Sequence, residues 1–181
     1  PTWKDSGTPV HLFGHSAGGL VSRLIASQPG IPKGKIKSVI TVATPNSGSQ
    51  FAAHCIRIPN EYPRSTRFLK TLGHDLAKVA LSLPEFTPEV VRKTMQEHEN
   101  IQPDVLRASI VCWAPRNEWC WPLRLIYKVP CFNDFTPHTD GIVDRDSQPF
   151  GKVIAEIKID HIRQIGLFGA PEKFAKLCDT L

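Results

Sequence analysis

The chain has 181 residues, of which 41% are apolar and 22% charged, with a net charge of +5. That is enough for one domain with a substantial core, and the balance excludes a disordered chain. No apolar run reaches the ~20 residues that span a bilayer, and no charged segment followed by an apolar one opens the chain as a leader would.

The basic residues, among them Arg57, Arg64, Arg67, Arg92, Lys93 and Arg124, are scattered, without the dense block or interleaved aromatics that bind nucleic acid. Nucleic acid is therefore not expected as a partner, whereas a weak attraction to anionic lipid surfaces stays compatible with the charge. The 5 cysteines are an odd number, so at least one thiol lacks a partner within the chain. Cys112, Cys120 and Cys131 lie close enough in sequence for one disulfide, and cysteine usage leaves secreted and cytoplasmic locations both open. The first residue is Pro1 rather than methionine, and further chain upstream is expected.

Val10, Leu12 and Phe13 make a short run suited to a buried strand, and Leu20, Val21, Leu24 and Ile25 then recur at helical spacing until Pro29 and Gly30. The β-branched run Ile36, Val39, Ile40 and Val42 predicts a second strand, closed by a polar turn, "ATPNSGS". Strand, helix, strand is the pattern of a βαβ unit and hence of a parallel sheet. From Phe68 to Leu83 the apolar residues fall on one helical stripe. A further helix is predicted over "TPEVVRKTMQEH", with Thr87 as N-cap, Pro88 at the first helical position and Glu89 in the first turn. Sheet patterning returns at "RASIVCWAP", followed by a Trp- and Pro-rich loop, 113–139, a weaker strand at "KVIAEIKI" and a helix from near Pro171.

Gly14-His15-Ser16-Ala17-Gly18 fits Gly-x-Ser-x-Gly, the sharp strand-to-helix turn that holds a serine oxygen at the end of a strand. By chance alone the motif is common. Here a strand precedes it and a helix follows it, which is the context it requires. A serine hydroxyl is a weak nucleophile until an imidazole takes its proton, and the imidazole needs a carboxylate to fix its tautomer. On a hydrolase scaffold the order is Ser, then Asp or Glu, then His. His11 and His15 lie too early, His54, His74 and His98 fall in the helical middle, and His138 precedes the acid candidate, which leaves His161. The acid candidate lies in "HTDGIVDRDS": Asp140 is favoured because Gly141 frees the turn, with Asp144 and Asp146 as rivals and Asp160 next to His161.

Three segments, "HLFGHSAGGLVSR", "VITVATPNSGS" and "TDGIVDRDSQPFGKVIAEIKIDHIRQIGLFG", resemble the α/β-hydrolase lipases, especially the bacterial triacylglycerol lipase type. The resemblance implies an α/β fold over 1–181, the C-terminal part of a hydrolase domain: a mostly parallel sheet with a helical cap or lid in 51–107. It implies a hydrolase of carboxylic esters, with lipid esters as the expected substrate class, Ser16 as nucleophile, His161 as base, Asp140 as orienting acid and the Ala17 N–H in the oxyanion hole. Such lipases carry strands and a second oxyanion donor ahead of the elbow, and only a few residues precede Val10 here. Those with a structural calcium have an aspartate two positions past the histidine; Arg163 stands there, so no metal is expected, and no cofactor. The Phe68–Leu83 stripe reads as a lid or as an ordinary buried helix. Trp113, Trp119 and Trp121 read as an acyl pocket or lipid interface, or as packing near Cys112 and Cys120. An acyltransferase, thioesterase or amidase, or an inactive binding protein of the same fold, are the alternatives.

Overall fold

The computed structural model describes residues 7–61, 83–128, 132, 138–168, 172 and 175. Four strands, β1 (Val10–His15), β2 (Ile36–Val42), β3 (Leu106–Trp113) and β4 (Lys152–Lys158), pair in parallel in the order β1-β2-β3-β4. Parallel neighbours need long crossovers. These hold α1 (Ala17–Ala26) between β1 and β2, α2 (Gln50–Glu61) and α3 (Pro88–His98) between β2 and β3, and α4 (Trp121–Ile126) between β3 and β4. Every strand therefore ends at the same edge of the sheet, the edge at which such sheets bind ligands.

The inner strands β2 and β3 are the most apolar and the most buried. Val39 and Ile110 are fully enclosed, each side chain contributing about 1.5–3 kcal/mol of burial. One cluster joins Ala26, Ile31, Ile36, Val39, Ile101, Val105 and Phe150, and another joins Val42, Ala43, Ile110, Cys112, Ile157 and Ile159. β1, expected to be buried, lies at the edge of the described sheet and leaves Phe13 exposed. Val21 of α1 is likewise exposed, and Arg23 is buried in the helix's inner face instead.

α3 forms where expected. The Thr87 side chain accepts a hydrogen bond from the Val90 N–H and Pro88 opens the helix, whose Val91 and Met95 pack on Leu20 of α1. The predicted helix over Phe68–Leu83 lies outside the described residues apart from Leu83, which starts the 3₁₀ turn Leu83–Phe86, and the helix expected from Pro171 also lies outside them. The stretch 113–139, read as a loop, contains the 3₁₀ turn Arg116–Glu118 and α4. It has a small core of its own: Ala114, Trp119, Cys120, Leu123, Tyr127 and Phe132 cluster there, with Phe51 of α2 stacked on Tyr127 and Phe132. Tryptophan and proline content masked a local hydrophobic cluster that supports one short helix. Trp119 is buried in it with its indole N–H donating to the Ala114 carbonyl, whereas Trp121 is 60% exposed. Cys112 and Cys120 are free thiols, so no disulfide joins them. Among the described residues no helix is long and apolar enough to cross a membrane.

Candidate active site

β1 runs directly into α1 through Ser16, whose backbone sits at φ 54° and ψ −129°. A non-glycine residue at positive φ is strained by about 1–3 kcal/mol, and such strain concentrates where chemistry is done. The turn is sharp because glycines let strand and helix touch. A Cβ at Gly14 would collide with the Gly18 carbonyl, and one at Gly19 with the Thr44 side chain. Gly18 faces open space. Ser16 occupies the N-cap position of α1, where a serine normally turns its hydroxyl onto the first-turn amides, yet it makes no such bond. Its Oγ instead lies 2.9 Å from His161 Nε2. The Ala17 N–H opens α1, one of the first-turn amides that a helix leaves without an intrahelical acceptor.

His161 follows β4 at the same edge and is buried, and its backbone N–H donates to the Asp140 carbonyl at 2.8 Å. Its Nδ1 lies 2.7 Å from Asp140 Oδ2. A carboxylate only accepts, so the hydrogen sits on Nδ1, Nε2 is bare, and the Ser16 hydroxyl donates to it. Asp140 is fully enclosed. Its Oδ1 accepts from the N–H groups of Ile142 (3.0 Å) and Val143 (2.8 Å). Gly141 completes that turn at φ 104°, where a Cβ would collide with the Leu123 side chain. Ser16, His161 and Asp140 thus form one hydrogen-bonded row, from residues 145 and 21 positions apart in the chain.

The rival carboxylates do other things. Asp144 accepts from the Gln50 N–H at the start of α2, and burial raises its carboxyl above the usual range. Asp146 is exposed. Asp160 caps the turn after β4 by accepting from the N–H groups of Ile162 and Arg163, and its other oxygen accepts from the Cys120 N–H. Arg163 pairs with Asp160 and donates to the Glu118 carbonyl.

Buried amides that sequence reading passed over hold the row in place. Gln148 spans β3 and the acid loop: its carboxamide exchanges two 2.7 Å bonds with the Cys112 backbone and also donates to the Val143 carbonyl. Asn46 donates to the Gln148 carbonyl, and Ser49 Oγ to that of Ile142, tying the "ATPNSGS" turn to the acid loop. Gln164 donates from Nε2 to Asp140 Oδ2 and accepts at Oε1 from His15. No local pattern marks a buried Gln or Asn in a sequence; partners 102 and 149 positions away do.

A cavity of about 510 Å³, lined by Asn46, Arg92, Met95, Glu99 and Arg107 among others, lies along α3, and none of the row's three residues lines it. The hydrogen-bonded row therefore lies apart from this hollow.

A family model described as a PGAP1-like alpha/beta domain matches residues 3–75, the part holding β1, the elbow and β2. The Staphylococcus hyicus lipase superposes on 98% of this chain with a TM-score of 0.63 at 15% identity. The mature Bacillus licheniformis lipase superposes on 94% with a TM-score of 0.61 at 18% identity, and a metagenomic carboxyl esterase on 84% with 0.56 at 20%. The chain has the α/β-hydrolase fold. It spans 69%, 66% and 45% of those three proteins' own chains, respectively. Among curated proteins none matches it in sequence. The α/β-hydrolase fold explains why the row gathers where it does: successive parallel strands deliver the loops after β1, β3 and β4 to one edge.

Proposed function

We propose that the protein is a serine hydrolase of carboxylic esters, acting through an acyl-enzyme. Ser16 Oγ attacks the ester carbonyl as His161 Nε2 takes its proton, and Asp140 stabilises the imidazolium. The tetrahedral oxyanion is met by the Ala17 N–H. As the intermediate collapses, the C–O bond to the alcohol breaks and His161 returns the proton to the leaving oxygen. Water, deprotonated by the same imidazole, then cleaves the acyl-Ser16 ester. The observation that carries this reading is a serine in a strained turn, at a helix N-cap it does not cap, bonded instead to a buried His–Asp pair.

An ester with an apolar acyl group suits the surroundings. Trp121 and Leu125 of α4 and Leu167 and Phe168, on the segment that follows His161, are exposed, and the Trp121 and Phe168 rings meet edge to face at 6.0 Å. A lipid ester or a lipid interface is the partner this surface supports. Within 51–107, α2 is the part suited to capping the site, since α3 packs on α1.

A fluorophosphonate probe tests the reading on the protein at its full natural length. Labelling is expected in the wild type and in Ser22→Ala, whose hydroxyl only bonds the Gly18 carbonyl, and is expected to vanish in Ser16→Ala. A wild type that takes no label overturns it. Turnover with water against added alcohols separates hydrolase from acyltransferase.

A further inference from the structure

Gln164 is 3% exposed and bridges two groups of opposite character: its Nε2 lies 3.0 Å from Asp140 Oδ2 and its Oε1 2.8 Å from His15 Nε2. The bridge has one consistent hydrogen assignment. The carboxylate only accepts, so the carboxamide turns its NH₂ to Asp140; Oε1 then faces His15, whose Nε2 must carry a hydrogen. The His15 ring lies 5.0 Å from that of His161, centroid to centroid. We propose that Gln164 and His15 form a positioning bridge that fixes the Asp140 carboxylate for His161 and keeps a neutral imidazole, in its Nε2–H tautomer, beside the catalytic one. This rests on the hydrolase reading above.

The bridge has two effects. First, Oδ2 of Asp140 is shared between His161 and Gln164, which holds the carboxylate in place while the imidazole gains charge. Second, His15 stays neutral: burial lowers its pKa most, and the neighbouring His161 lowers it further. The imidazolium formed at His161 during attack therefore meets no like charge. The other titratable groups around Asp140 are Cys112 on β3, Tyr127 after α4 and Asp144 on the acid loop. Burial pushes the Cys112 thiol and the Tyr127 phenol far up, and raises the Asp144 carboxyl. At neutral pH the thiol and phenol are uncharged.

Gln164→Leu tests the bridge. With one donor to the shared carboxylate oxygen removed, the acidic limb of kcat/KM on a short aryl ester should move up by about half a unit to one unit. kcat should fall roughly tenfold with KM within about twofold of the wild type. Gln164→Glu keeps the size but turns an acceptor instead of a donor toward Asp140, so kcat should fall here too, while the added carboxylate pairs with His15, whose ¹⁵N-detected titration midpoint should rise by about one unit or more. In the wild type the ¹⁵N shifts of His15 should report the Nε2–H tautomer. A wild type without turnover overturns the hydrolase reading and this inference with it. A wild type that turns over, with Gln164→Leu matching it in kcat and in the acidic limb, or with His15 in the Nδ1–H tautomer, overturns the inference alone.

Discussion

Ser16 stands where a helix wants a cap, and its hydroxyl is turned away from that duty toward His161. What keeps it there is the crowding around it, and the glycines of "GHSAGG" divide the work unequally. Gly19 lies against Thr44 with no room for a methyl group, while Gly18 faces open space. Gly19→Ala should therefore destabilise the protein by about 1–3 kcal/mol in denaturant unfolding, from overpacking against a buried neighbour. Gly18→Ala should be neutral or stabilising by up to about 1 kcal/mol, because alanine costs less entropy in a helix. Equal effects at the two positions would contradict the packing described. Of the two, the motif Gly-x-Ser-x-Gly marks Gly18; the glycine that the contact between α1 and the turn after β2 needs is its neighbour, which only the position of Thr44 reveals.

At the scale of elements, α1 is fastened to α3's end by charge. Arg23 of α1, 7% exposed, donates to the carboxylate of Glu99, which follows α3, and to the carbonyl and side-chain oxygens of Asn46, with its guanidinium 4.6 Å over the Phe150 ring. Removing one member strands the other. Glu99→Ala should cost about 2–3 kcal/mol, somewhat below a fully enclosed pair because Glu99 keeps some solvent contact. Arg23→Met combined with Glu99→Leu should recover much of that loss, since two apolar side chains leave no uncompensated charge. A double-mutant cycle in urea checks this, and additive losses would refute the pairing. The sequence pattern assigned α1's inner face to apolar residues alone, because periodicity counts hydrophobic side chains and is blind to an arginine whose partner lies 76 positions away.

For the whole molecule, the charge state of His15 couples the site to global stability. Its folded pKa is lowered below the ordinary 6.5, chiefly by burial. Between the folded and unfolded values the unfolded chain binds more protons, so stability rises with pH across that window and is lost as pH falls below about 6.5. Unfolding free energies measured from pH 7.5 down to 5 should decline, and His15→Phe should flatten the decline; an unchanged slope would show that His15 is not the group responsible. The same three-dimensional crowding decided which carboxylate sits beside His161. Asp140, Asp144, Asp146 and Asp160 all lie near enough in sequence, and only Asp140 reaches Nδ1, because the Ile142 and Val143 amides turn its carboxylate inward.

The sequence by itself determined what short-range chemistry controls: the strand–elbow–helix junction at Ser16, the Thr87 cap of α3, the β-branched run of β2 and the Ser, Asp, His order along the chain. These depend on neighbours a few residues apart, which a reading of periodicity and turn residues can see. Tertiary structure alone decided the rest: the exposure of Phe13, the core inside 113–139, the buried Arg23 and the Gln164 bridge. Each depends on partners brought together by the parallel crossovers, and burial of a polar group is stable only where such a distant partner satisfies it.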